Sequence, residues 1–168
     1  KPDGIPIVFD LQIEAEIFSN IKDVRIDNKM LEAEHGIGVQ TKYISQYFPN
    51  SRVLPLVIPT NPDRDDIEGV RKILFNYSEN TLFIASIDFA HNLTYLEAME
   101  NNEQSINAIK SFNYEKINTF DDEFLDSPHS MVLFLKIMSG LGADNFEVFH
   151  NTHGALISDN PTLQGTSY

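Results

Sequence analysis

Apolar positions along the chain form helical stripes interrupted by short runs that are apolar throughout. In QIEAEIFSNIK, residues 12–22, Ile13, Ile17, Phe18 and Ile21 recur at three- and four-residue spacing and so share one helix face. EHGIGVQTKYISQYF carries a looser stripe of Ile37, Tyr43, Ile44, Tyr47 and Phe48, with Gly36 and Gly38 weakening its first turn. IEGVRKILFNY turns Val70, Ile73, Leu74 and Tyr77 inward, after a turn NPDRDD whose acids suit a helix N-terminus. TYLEAMENNEQSINAIKSF and YEKINTFDDEFL also read as helices. SPHSMVLFLKIMSGLG starts near Pro128 and stops at Gly140 or Gly142.

RVLPLVIP, TLFIASID and NFEVFHNTHGALI read as short strands, and SDNPTLQGTSY as an irregular tail. Strands that are apolar throughout rather than two-faced are expected to be buried on both sides. The alternation of such strands with helices predicts an α/β fold: a layered, mainly parallel sheet flanked by helices. With no internal repeat, low-complexity tract or linker, the 168 residues suit one domain.

Composition narrows the chemistry. A net charge of -13 argues against nucleic acid or an anionic membrane as partner, since both select a basic face. It suits cations as well as plain solubility. No apolar run approaches the roughly 20 residues of a membrane span, and nothing resembles a signal peptide, so a cytoplasmic location is expected. The chain opens at Lys1-Pro2 without a methionine, and a segment upstream of it is expected. With no cysteine there is no disulfide framework and no thiolate, so any metal must use His, Asp, Glu or carbonyl oxygen.

Four places offer such ligands. Asp88 ends the TLFIASID strand and His91 follows three positions later; a carboxylate there can fix the imidazole's tautomer beside a metal or a polarised water, or simply cap the next helix. Sites in open α/β sheets form beyond the carboxyl ends of strands, where this pair sits. Glu34-His35 lies between a helix start and two glycines that suit close backbone approach. Asp126 and His129 flank another helix start, where Asp126 or Ser127 also fits as N-cap. His150 and His153, three apart in an extended segment, point to opposite faces unless the chain bends near Gly154. A phosphate-binding glycine loop, a His-Glu-x-x-His helix and a Gly-x-Ser-x-Gly elbow are all absent.

Taken in order, EHGIGVQTKYISQYFPNSRVLPLVIP, then LFIASIDFAHNLTY, then NTHGALISDNPTLQGTSY resemble the Memo family, also known as AmmeMemoRadiSam system protein B, from about Glu32 onward. The resemblance implies a bacterial protein with an α/β fold similar to the class III extradiol dioxygenases, which hold non-haem iron(II) with two histidines and a carboxylate. The equivalent Memo cleft carries two histidines and a cysteine. His35 matches the second histidine, and Asp88 and His91 match a pair near the cleft. DSPHSM stands where the cysteine is expected, which puts Asp126 (or Ser127) in its place. KPDGIPIVFDL resembles the segment after the strand that bears the first metal histidine, so the chain is expected to lack that strand.

The resemblance therefore implies a divalent metal, iron(II), zinc or manganese, held by His35, Asp126 and His91. The same resemblance implies that His91, oriented by Asp88, serves as an acid/base or as the third ligand in metal-assisted redox chemistry or activation of oxygen or water, with Asp88 and His91 as the expected catalytic residues. The alternative is a non-catalytic module that binds a peptide or small ligand beside a degenerate metal site.

Overall fold

A computed structural model describes residues 8–160 and 162–168. The chain is helix-rich and mixed α/β, and it folds as two compact units. One unit contains the described residues up to Val57 together with Pro62–Thr81; the other contains Ile58–Asn61 and Leu82–Tyr168. Residues 1–7 of the KPDGIPIVFDL stretch lie outside the described residues.

The first unit contains β1 (Val8–Phe9), α1 (Leu11–Asn20), α2 (Asn28–Ala33), α3 (His35–Tyr47), β2 (Arg52–Val53) and α4 (Arg64–Asn76). Asp10 and Asp63 begin α1 and α4 by accepting the otherwise orphaned first-turn N–H groups of Gln12, Ile13, Asp65 and Asp66. α1 buries Ile13 and Ile17, and α4 buries Val70, Ile73 and Leu74, as the spacing predicts. The helices pack closely because Gly69 has no side chain: a Cβ there would lie 2.5 Å from Cδ1 of Ile21. Tyr77 locks the same pair by donating its hydroxyl to Glu16 at 2.5 Å.

Two stripes of this unit depart from expectation. Phe18 on α1 is exposed. Along α3 only Thr41 is buried, while Tyr43, Tyr47 and Phe48 face solvent. α2 has no counterpart in the sequence reading. The expected RVLPLVIP strand forms only at Arg52 and Val53, which pair in parallel with Val8 and Phe9. Pro55 then removes a backbone donor that a longer ladder would use.

The second unit contains α5 (Tyr95–Lys110), α6 (Tyr114–Ile117), α7 (Pro128–Gly140) and α8 (Gly154–Ile157). Glu97 accepts from both the N–H and the hydroxyl of Thr94 to begin α5, which lowers the Glu97 pKa. α7 starts at Pro128 and closes with Gly142 at φ 83, the Gly142 and Ala143 N–H groups returning to the carbonyls of Ser139 and Met138. The core is built from Ile109, Ile117, Leu125, Val132 and Leu135, with Phe120 and Phe124 stacked at 4.8 Å. Of the expected YEKINTFDDEFL helix only one turn forms, and the rest is a series of turns that sends Phe120 and Leu125 into this core.

Among the described residues the sheet is the two-stranded β1–β2 pair. TLFIASID carries no strand, and exposure alternates from Leu82 to Ile87, so this run has one solvent face rather than two buried ones. In NFEVFHNTHGALI, the last four residues form α8, and Phe149 is 93% exposed. Apolar content alone does not make a strand; a row of backbone partners does. The tail finds such partners instead. Residues 165–168 lie between 89–93 and 152–154, with antiparallel bridges Leu93–Gly165 and His153–Ser167. No described helix is long and apolar enough to cross a membrane.

The core assignment predicts that Leu125→Ala, at a fully buried site, costs about 3 kcal/mol. Leu96→Ala, at a residue 77% exposed, changes stability by less than about 0.5 kcal/mol. Denaturant melts that ranked the two equally would place Leu125 outside the core.

Candidate metal centre

The sequence offered Asp88 as a cap for the following helix. It is not one: α5 begins only at Tyr95 and Thr94 and Glu97 close its start. Ser127 occupies the N-cap position of α7, yet its hydroxyl donates to Ser130 Oγ at 2.6 Å, and Asp126 caps nothing. Neither carboxylate caps a helix, and both offer an oxygen beside His91.

Backbone hydrogen bonds bring the three together. The Asp126 N–H donates to the Asp88 carbonyl at 3.1 Å, and the His91 N–H donates to the Asp122 carbonyl at 2.9 Å. These two bonds tie 88–91 to 122–126. Each of Asp88, His91 and Asp126 then offers one ligand atom, and these atoms lie within 4.8 Å of one another. Asp88 and His91 are half-buried and Asp126 sits at the open rim.

The electrostatics are unbalanced. His91 Nε2 is shielded from solvent and has no hydrogen-bond partner. Asp88 Oδ2 is nearest at 3.5 Å, which is beyond good hydrogen-bond reach. The Asp126 carboxyl is pushed above the usual carboxylate range, chiefly because its surroundings desolvate it, then because the Asp88 carboxylate repels it; the His91 imidazole opposes both. A cluster of two acids and an imidazole with an unpartnered nitrogen has the donor set of a hard or borderline cation.

The other sequence candidates go elsewhere. His35 is the first residue of α3, is exposed, and belongs to the first unit; Glu34 accepts from Gly36 N–H at 3.0 Å as the α3 cap. His129 Nδ1 lies 3.1 Å from Asn118 Oδ1. His150 is exposed, whereas His153 is fully buried and its Nδ1 accepts from the Ala155 N–H as the cap of α8. That pair is therefore split between solvent and interior.

The sequence profile of the Memo-like protein family matches residues 6–164. The chain belongs to the Memo-like family. Among curated relatives it is 29% identical over 85 residues to a MEMO1 family protein of Pyrobaculum aerophilum, covering 49% of this chain and 30% of the relative. It is 23% identical over 121 residues to one of Caldivirga maquilingensis, covering 70% of this chain and 43% of the relative. It is 23% identical over 171 aligned positions to one of Aquifex aeolicus, covering 84% and 44%. The chain thus spans less than half the length of these Memo-like relatives. No solved structure matches it significantly.

Reading along the sequence missed Asn102 and Ser167, both fully buried and both bonded to the segment that carries Asp88 and His91. One signal was available: Ala98, Asn102, Ser105 and Ile109 share the inward face of α5, so Asn102 is a polar residue on a buried stripe. Ser167, in the tail, gave none.

The raised Asp126 pKa yields a stability prediction. An acid whose folded value is raised stabilises the fold fully below the ordinary carboxylate value of 3.8 and loses that contribution as pH rises through the folded value. At neutral pH the ionised Asp126 therefore opposes folding. Asp126→Asn should raise the melting temperature of the metal-free chain at pH 7, and the gain should vanish near pH 3. A variant that melted lower than the parent at pH 7 would show the carboxylate to be structurally satisfied.

Proposed function

We propose that this chain is a metal-binding Memo-like protein whose cation is held by Asp88, His91 and Asp126. The observation that carries the reading is the solvent-shielded, unpartnered Nε2 of His91 within 4.8 Å of two carboxylate ligand atoms. A bound cation gives that nitrogen a partner and reverses the repulsion between Asp88 and Asp126. Oxygen and nitrogen donors without thiolate suit iron(II), manganese or zinc. Such an ion supplies Lewis-acid polarisation of water or, as iron(II), redox chemistry toward oxygen. In this reading Asp88 also orients the His91 ring, and His91 is the group that exchanges protons if it is not a ligand. His35 rests on the resemblance alone and takes no part in this set.

Family membership across residues 6–164 supports reading the two units as one Memo-like domain. It also supports a layered, mainly parallel sheet of which the β1–β2 pair is a part. A second reading, a module that binds a peptide or small apolar ligand, draws support from a groove of about 330 Å³ lined by Phe89, Ile106, Phe146, Val148, Phe149 and Tyr168. Metal content separates the two, since such a module needs none.

Calorimetric titration with zinc, and with iron(II) under anaerobic conditions, should give one site per chain. Affinity should fall as the pH is lowered, because imidazole and carboxylate ligands must be unprotonated to bind a metal. His91→Ala or Asp88→Asn should weaken binding at least tenfold. At 100 times the parent's dissociation constant the metal should add about 2.7 kcal/mol of stability to the parent and no more than about 1.4 kcal/mol to His91→Ala. Absence of saturable binding would retire the metal reading and leave the binding module ahead. His35→Ala, at an exposed position, should change stability by under about 0.5 kcal/mol, and loss of metal in that variant would restore His35 to the site.

A further inference from the structure

The segment that carries Asp88 and His91 has no helix or strand of its own, yet its backbone is held at almost every position. The Asp88 carbonyl accepts from Asp126, and the His91 N–H reaches Asp122. Everything between and after is held by α5 and the tail. Phe89 N–H donates to the Ser167 carbonyl at 3.0 Å, Ser167 N–H to the Ala90 carbonyl at 2.9 Å, and Gly165 N–H to the Leu93 carbonyl at 3.0 Å. Asn102 Oδ1 accepts from the Ala90 N–H at 3.3 Å and from the Ser167 hydroxyl at 2.8 Å, and its Nδ2 donates to Asn151 Oδ1 at 3.1 Å. Ala90, Asn102 and Ser167 are all fully buried.

We infer that Asn102 and Ser167 are positioning residues for the cation site: a buried clasp that sets the backbone of 88–93 and, through it, the separation of Asp88 and His91. The inference rests on the metal reading above. Asn102 Oδ1 and Ser167 Oγ are engaged with the Ala90 N–H and with each other. Their side chains act only through the backbone of Ala90, which stands between the two ligand residues. Asn92 at φ 57 completes the bend, a conformation that asparagine tolerates better than most residues. A clasp made of side-chain hydrogen bonds constrains direction as well as distance, which apolar packing at the same positions would not do.

The full chain carrying Ser167→Ala, Asn102→Ala or Ile137→Val is titrated with cobalt(II), read by calorimetry and by visible absorption, alongside thermal melts. Ile137 is a buried α7 residue that donates nothing to 88–93, so its variant reports the effect of lost stability alone. Ser167→Ala is the milder clasp variant, since Asn102 Oδ1 keeps the Ala90 N–H. Ser167→Ala should weaken cobalt(II) about tenfold and Asn102→Ala up to about 100-fold, with altered visible bands, as loss of groups supporting metal ligands generally does. Ile137→Val should match the parent in affinity and spectrum. Should Asn102→Ala fail to fold, Ser167→Ala alone decides. Parent-like affinity and spectrum in the clasp variants overturn the inference while leaving the metal reading in place. An equal loss in Ile137→Val overturns it too, by reducing the effect to stability. A parent chain that binds no cobalt(II) overturns the metal reading and the clasp with it.

Discussion

The second unit depends on one constraint: backbone groups withdrawn from water must find partners. Around the fully buried Ala90 that requirement is met by three separate parts of the chain. The 122–126 turns take the Asp88 carbonyl and the His91 N–H, α5 takes the Ala90 N–H through Asn102, and residues 165–167 take the rest. Each bond is worth only about 1 kcal/mol net, but leaving its partner buried and unpaired costs about as much or more. The segment is consequently over-determined by many small terms. The tail is a structural member of the unit because it carries several of those partners.

That backbone restraint allows an unfavourable charge arrangement to persist. Like charges about 4 Å apart repel by about 1 kcal/mol in water and about 4 kcal/mol at the effective dielectric near a protein surface. Asp88 and Asp126 nonetheless offer ligand atoms within 4.8 Å of each other, and the Asp126 carboxyl is raised chiefly by desolvation and then by the Asp88 carboxylate. Stability sacrificed locally and recovered through a ligand is a common signature of binding sites. The chain has no cysteine, so the ligand atoms this group offers are oxygen and nitrogen, the donors that harder cations favour.

The first unit is organised differently. Its α1–α4 pair depends on apolar spacing, a missing Cβ at Gly69 and side-chain hydrogen bonds such as Tyr77–Glu16. α3 leaves its aromatic residues in solvent, so its stripe marks a surface, not a core.

Local chemistry made much of the helical framework legible in the sequence. The buried faces of α1 and α4, the Pro128 start and the glycine stop of α7 follow from side-chain spacing and backbone rules that operate within a few residues. Asp88, His91 and Asp126 were legible as candidates because their residue types are chemically conspicuous. Which candidates meet was not. His35 and Asp126 looked alike along the chain, whereas only Asp126 shares a unit and a ligand cluster with His91. The strands TLFIASID and NFEVFHNTHGALI were over-read because pairing is a property of two segments, and one segment's composition cannot supply its neighbour. Asn102 and Ser167 became meaningful only in three dimensions: 65 residues apart, they meet at 2.8 Å around one backbone amide. The sequence by itself determined the longer helices and the chemistry of the candidate ligands, which are local. The tertiary structure decided which candidates meet, because hydrogen bonds between distant segments bring Asp88, His91 and Asp126 together.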